Sequence, residues 1–460
     1  MRYSLLFIFI LILVLIPVAV GQQRSVAFID VSVVPMESAH VLSHQIVVVR
    51  DGRIAAIGSR DSIQVPADAL RISGKGRYLM PGLADMHVHF IRPSGLNQFQ
   101  MSASSDYVAE NKILGLLYVA NGVTTVRNMW GHQAILDLAK DIDAGNLIGP
   151  HIYSTGPIND GVPQIWQGSR AIETAAEAEE AARADKKAGY IALKVYDRLS
   201  ADAYNSLVTA GKSQGLPIVG HVPSAVGLRG ALAAHQYSVE HLTGYLAALQ
   251  PNTVVPIPSS SQALLQAVDF TKLPELVQET KASGTWNCPT LVVKQSIPED
   301  TQWQHRLALI PPALVERYRK GYPNWGTKPD IDRMAYQVNI AITKGLHEGG
   351  AKLLLGTDAY KPNALPGFSL HDELRNFVSA GLTPYEAIRA GTSDAALFLN
   401  QQNEFGTVTV GLRADLLLLE ANPLENVANV TKRVGVMLRG TWFPEEDLQK
   451  RLSSLSSRSN

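Results

Sequence analysis

The stretch PGLADMHVHF, residues 81–90, places His87 and His89 two positions apart at the end of an apolar run. Strand side chains alternate between faces, so residues two apart point the same way, roughly 6–7 Å from one another. A neutral imidazole nitrogen is the commonest metal ligand a side chain supplies, and two on one face can close on one ion. A solvated strand face bearing two histidines has the same pattern. HxH alone leaves both readings open.

Outward from this stretch, the middle of the chain alternates short apolar strands with helical stretches. Strands are expected near 83–89, 123–129, 151–156, 191–197, 217–222, 238–242, 286–293 and 352–358. Helices lie between them, among them ETAAEAEEAARADKKAG at 173–189 and HDELRNFVSAG at 371–381. Eight strands separated by helical crossovers fit an α/β fold, a (β/α)₈ TIM barrel, whose active sites sit at the C-terminal strand ends. Polar residues occupy those ends. Strand one finishes with His87 and His89, YIALKVYD carries Lys194, and LPIVGHVP carries His221. SVEHLTGY carries His241, and AKLLLGTDAY carries Asp358. Singly, each has a plain explanation: a strand histidine can be hydrogen-bonded in a core, and an Asp after Gly-Thr can cap a helix. A lysine inside an apolar strand is harder to dismiss, because burying a bare ammonium is costly. Six such residues on five strands favour a metal centre.

The flanks differ from the middle. VAFIDVSVVP and HQIVVVRDGRIAAIGS (44–59) are β-rich, with Asp51-Gly52 a hairpin signal. GTVTVGLRADLLLLEANP (406–423) and GVMLRGTWF (435–443) have the same character near the other end. Both ends are therefore expected to build one small β-sandwich domain, 22–80 with 401–460, around a barrel at 81–400. The stretch 295–335, with its Trp, Tyr and Pro residues, reads as an insertion over the barrel mouth.

Composition bounds the rest. With 460 residues, 46% of them hydrophobic, the chain can bury a barrel-sized core and a smaller domain. Its 41 basic and 41 acidic side chains balance, which gives no footing for nucleic-acid binding. Arg2, the apolar run Leu5–Ile16, Pro17 and the small-residue exit Ala19-Val20-Gly21 read as a secretory signal over 1–21. The protein is then secreted or periplasmic, without stable membrane contact after cleavage. The competing reading is a membrane anchor left uncleaved, for which the apolar run is a little short. The sole cysteine, Cys288, excludes intrachain disulfides, and Asn429-Val430-Thr431 is a glycosylation sequon for a eukaryotic source.

Together, VVVRDGRIAAIG, LMPGLADMHVH, NGVTTVRN, FSLHDELRNFVSAGLTPYEAIRAGTSDAA and GTVTVGLRADLLLL make the chain resemble the amidohydrolase superfamily. The likeness covers nearly everything after the signal and is closest to the imidazolonepropionase-like and prolidase-like branch. It implies that His87 and His89 hold a more buried metal ion, and that His221 and His241 hold a more exposed one. It implies a carboxylated Lys194 bridging the two ions, and Asp358 as ligand and acid/base. Two cations repel and imidazoles do nothing to offset them, so a bridging anion is physically apt, and carboxylation removes the buried ammonium. Zn²⁺ suits this nitrogen- and oxygen-rich set, as would Mn²⁺, Co²⁺ or Fe²⁺. The implied reaction is attack of a metal-bridging hydroxide on an amide carbonyl of a dipeptide or N-acyl amino acid, with Asp358 moving the proton.

Further residues are expected near the substrate. His132, in RNMWGH, follows strand two, and Tyr245 lies four residues after His241. Tyr196 shares the face of Lys194 by the strand period. A surface loop position for His132 and a packing role for Tyr245 compete with these roles. His151 and His235 read as structural, His371 as a helix cap with a position leaning over the site as the competing reading, and Asn128 stands where similar proteins often carry Asp. A lactonase or phosphotriesterase uses nearly the same ligands. A mononuclear deaminase or imidazolonepropionase-like enzyme would not need Lys194. The partner expected is a small-molecule substrate, with homo-oligomers found among similar proteins.

Overall fold

The computed structural model describes residues 25–93, 103–104, 106–251, 261–295, 300–310, 312–321 and 328–456. The expected signal over 1–21 lies outside the described residues. Among the described residues, no helix is long and apolar enough to cross a membrane.

The fold is TIM-barrel-like α/β. A strand falls within each of the eight expected segments. Leu83–Val88, Val123–Asn128 and His151–Ser154 form a parallel three-stranded sheet. Leu193–Val195, Ile218–Gly220, Ser238–Glu240, Trp286–Cys288 and Lys352–Leu353 follow in order in a second parallel sheet. That sheet also contains Ile158–Asp160 and Arg170–Ala171, two short strands beyond the eight. Backbone hydrogen bonds connect the two sheets at both edges. Ile191 N donates to Ser154 O at 3.0 Å, and Asp358 N donates to His87 O at 2.7 Å.

Local chemistry explains the crossovers. Thr174 and Glu177 form a capping box before the helix Ala175–Ala188, which ends on left-handed Gly189 with φ 90°. Thr383 and Glu386 repeat the device before Pro384–Ala390. Where strands crowd, glycine is required: a Cβ on Gly220, at φ 125°, would lie 2.3 Å from Val195 O. A Cβ on Gly356 would lie 2.8 Å from His87 N, so the last strand can approach the first only through this glycine.

Strands from both flanks of the barrel share one sheet. One eight-stranded sheet runs Thr441–Pro444, Arg433–Leu438, Leu416–Leu419, Tyr78–Pro81, Val26–Val33, Leu42–Arg50, Arg53–Ser59, with Leu70–Ser73 beside Val26–Val33. Asp51 and Gly52 take φ 50° and 76° in the hairpin between Leu42–Arg50 and Arg53–Ser59. This is the double positive-φ turn that their sequence favours. Strand alternation sends Phe28, Val47 and Val49 into one apolar cluster and Ala27, Ile46 and Val48 into another. Within the described part of 295–335, the helices Thr301–Leu307 and Pro312–Gly321 precede Pro329–Glu348.

Candidate metal centre

His87 sits on the buried face of Leu83–Val88, and its ring lies 5.3 Å from that of His89. His241 approaches from the next sheet, with ring centroids 4.6 Å from His87 and 5.0 Å from His221. Asp358 faces all three inner histidines. Its Oδ1 lies 3.6 Å from His87 Nε2 and 3.0 Å from His89 Nε2, and its Oδ2 lies 3.9 Å from His241 Nε2. His221 Nδ1 is 2.8 Å from Asp197 Oδ1, and its ring stacks on Tyr196 at 4.0 Å. Lys194 is 2% exposed, with Nζ 6.0 Å from the Tyr196 ring centre, so the two share a face as the strand period requires.

The imidazoles are held from behind. His87 Nδ1 lies 2.8 Å from Glu240 Oε2, and His241 Nδ1 lies 2.7 Å from Thr290 Oγ1. Fixing Nδ1 in this way turns Nε2 inward, the arrangement that orients ligating histidines. His241 and Asp358, both at φ 58°, adopt left-handed backbone, as does Thr290 at φ 49°. Such conformations in non-glycine residues cost roughly 1–3 kcal/mol and concentrate at functional sites.

Burial lowers the basicity of the site. It drives His87 and His241 well below the usual imidazole range and His89 to about 4. It likewise brings Lys194 down to about 8. Burial opposes ionisation of Asp358, yet Lys361 and the imidazoles of His241 and His89 outweigh it and hold the carboxyl well below its ordinary range. The cluster is thus neutral imidazoles around an ionised carboxylate, the donor set a divalent cation takes. The fit to a metal rests on atoms as well. His87 Nε2 is buried without a hydrogen-bond partner and faces Asp358 Oδ1 at 3.6 Å. One ligand atom each from His87, His241 and Asp358 lies within 4.8 Å of the other two.

Three residues behind the site escaped the sequence reading. Arg127 Nη2 donates to both Glu240 oxygens at 2.8 and 2.9 Å, and all of its side chain is buried. Because Glu240 is committed to Arg127 and His87, its role is support. Asp85 accepts from Thr357 N at 3.0 Å and Thr357 Oγ1 at 2.6 Å, tying the last strand to the first. Burial pushes the Asp85 carboxyl up to about 7. The signal that singled out Lys194, a charge inside an apolar strand, also marks Arg127, Glu240 and Asp85.

Two expectations need correction. Tyr245 is fully buried, and its hydroxyl bonds Thr280 Oγ1 at 2.8 Å and Asn287 Oδ1 at 2.9 Å, so it has no hydroxyl to offer a substrate. Gly244, at φ 85°, turns the chain into the one-turn helix Tyr245–Ala248 and carries the ring into the core. His371 does not cap its own helix: it lies inside Phe368–Ser379, buried, with Nε2 3.5 Å from Arg433 Nη1. His132 occupies the N-cap position of Gln133–Asp143, half-buried, just beyond strand two. His151 pairs with Asp143 at 2.7 Å. Asn128 accepts from Phe90 N at 3.1 Å and donates to Ser154 Oγ at 3.0 Å, an uncharged bridge between strand ends. Asn429 is half-buried with its amide donated to Asn422 O at 2.8 Å, so a glycan there would displace an existing contact.

The chain is 24% identical over 445 residues to ochratoxinase of Aspergillus niger, covering 84% of this chain and 79% of that protein. Among solved structures, bottromycin amidohydrolase superposes with a TM-score of 0.72 at 24% identity, over 96% of this chain and 92% of its own. A Xaa-Pro dipeptidase with methionine bound in its active site superposes with a TM-score of 0.65 at 19% identity, over 92% of this chain and 100% of its own. These likenesses establish the fold. The profile of the amidohydrolase family matches residues 78–443, so the chain belongs to that family and is a hydrolase acting on carbon–nitrogen bonds.

Proposed function

We propose that the chain is an exported, binuclear metal-dependent amidohydrolase that cleaves the amide bond of a dipeptide or N-acyl amino acid. The observation that carries this reading is the convergence of Asp358 on the Nε2 atoms of His87, His89 and His241, at 3.0–3.9 Å. His87, His89 and Asp358 would hold one ion, and His221 with His241 the second, Zn²⁺ being the best match to these donors. Lys194 would serve both ions as a carbamate: burial favours its free amine, which can add carbon dioxide and release one proton to solvent, so that an anion replaces a buried cation. When bound, the ions supply Lewis-acid polarisation of the carbonyl and acidification of water.

The chain's own residues manage the protons. Ionised Asp358 accepts one from the attacking water and hands it to the departing nitrogen, so that amide plus water becomes carboxylic acid plus amine. Tyr196, stacked on His221, lines the site, and His132 borders it from the loop after strand two. Burial pushes the Tyr196 phenol up, and its oxygen accepts from Trp166 Nε1 at 2.7 Å, so it stays a neutral hydroxyl able to donate to a substrate oxygen. The dipeptidase that holds methionine supports a leaving group of amino-acid size.

The test is a metal count on purified protein together with a screen of dipeptides and N-acyl amino acids. This reading expects close to two ions per chain and turnover of amide members. One ion per chain, or turnover of lactones without amides, contradicts it.

A further inference from the structure

The motif FSLHDEL on the helix Phe368–Ser379 has no part in the chemistry above, yet it sets a fully buried carboxyl, Glu373, against the loop that backs His241. Glu373 Oε1 accepts from Leu291 N and Oε2 from Val292 N, each at 2.7 Å. Asn376 Nδ2 also donates to Oε2, at 3.1 Å. The two backbone amides open the turn Leu291–Lys294, which Thr290 immediately precedes. The carbonyl side of that turn is gripped from elsewhere. Asn363 Nδ2, on the loop after Asp358, donates to Val292 O at 3.0 Å, Val293 O at 3.2 Å and Gln295 O at 2.6 Å. Burying a carboxyl is costly, and here both of its oxygens are committed to one short turn.

We propose that Glu373 is a positioning residue for the more exposed metal ion: by fixing the turn it fixes Thr290, and through Thr290 the imidazole of His241. This rests on the two-ion reading of the site. The linkage is geometric. The N–H of Leu291 belongs to the peptide plane that follows Thr290, so anchoring it sets the Thr290 ψ, 50° beside a φ of 49°. A β-branched residue keeps that left-handed conformation only where its surroundings impose it. Held in this way, Thr290 Oγ1 lies 2.7 Å from His241 Nδ1. His87 Nδ1 faces Glu240 and His221 Nδ1 faces Asp197, so His241 is the ligand that this turn supports. Glutamine at position 373 would keep the volume but turn an NH₂ group on one of the two backbone N–H groups, donor against donor, whichever way it rotates.

Metal-free protein is titrated with Zn²⁺ against a chromogenic chelator, for wild type, Glu373→Gln, Thr290→Val and the double variant. In Glu373→Gln the weaker-bound of two ions should lose about 10–100-fold in affinity while the tighter one is nearly unchanged. In the Thr290→Val background, where the hydroxyl link is already cut, Glu373→Gln should add little. Glu373→Asp keeps both oxygens on a shorter arm; it should fall between wild type and Glu373→Gln, and it takes the place of the glutamine variant should that not fold. Equal weakening of both ions, or an undiminished effect on Thr290→Val, would mean that Glu373 only supports the fold. So would lost stability with wild-type affinities, and each of these results overturns the inference. Uptake of a single ion by wild type contradicts the two-ion reading alone, and the same cycle on that ion still judges Glu373. Uptake of no ion overturns both.

Discussion

Glu240 Oε2 lies 2.8 Å from His87 Nδ1, and both side chains are wholly buried. This contact assigns the proton to Nδ1 and leaves the Nε2 lone pair facing Asp358. Glu240→Gln weakens that hold without emptying the space. Loss of such a supporting partner typically costs 10–100-fold in metal affinity, so a drop of about that size is expected. Competition with a chromogenic chelator measures it, and an unaltered affinity would falsify the supporting role.

Arg127 pairs with Glu240 in a dry interior and makes further bonds to Met86 O at 2.6 Å and Ser238 Oγ at 3.1 Å. Arg127→Met strands a buried carboxylate and should destabilise the fold by about 3–5 kcal/mol. Adding Glu240→Leu removes the orphaned charge and should recover part of that loss. Denaturant titration of the two singles and the double decides: additive losses would mean the pair does not interact.

Tyr245→Phe removes two buried hydrogen bonds to Thr280 and Asn287 and nothing from the site. Stability should fall by roughly 1–3 kcal/mol with KM unchanged. A raised KM at undiminished stability would return the phenol to the substrate.

Acid should act through His371. Burial, with Arg433, Arg375 and Arg306 nearby, holds its imidazole well below the ordinary value. The unfolded chain, titrating near about 6.5, then binds a proton that the folded chain refuses. The stability this contributes is complete above the unfolded pKa and is lost as pH falls below it. His371→Phe should lessen the acid slope by up to one proton, about 1.4 kcal/mol per pH unit. Denaturation curves of both proteins between pH 7 and pH 5 give that difference, and parallel curves would exclude His371 as a contributor.

Much of this architecture was legible in the sequence because alternation and crossover spacing are local signals. Strands with inward polar ends stood out, and the shared face of Lys194 and Tyr196 followed from the period of two. Alternation failed where backbone leaves the strand. His241, at φ 58°, turns back into the site beside Glu240, although adjacent strand residues would face opposite ways. Tyr245 misled for the same reason, since the positive φ of Gly244 redirects its ring. Arg127 and Glu240 carry the same mark as Lys194, a charge inside an apolar strand, but only their pairing across 113 positions of chain reveals their shared task.

The proton-moving role of Asp358 meets its most direct test in Asp358→Asn, with turnover and bound metal measured on the same preparation. The amide keeps the volume and an oxygen for coordination but cannot carry the proton. Metal should be retained while turnover falls by about 10²–10⁴-fold. Turnover equal to wild type, with the metal in place, would contradict the account.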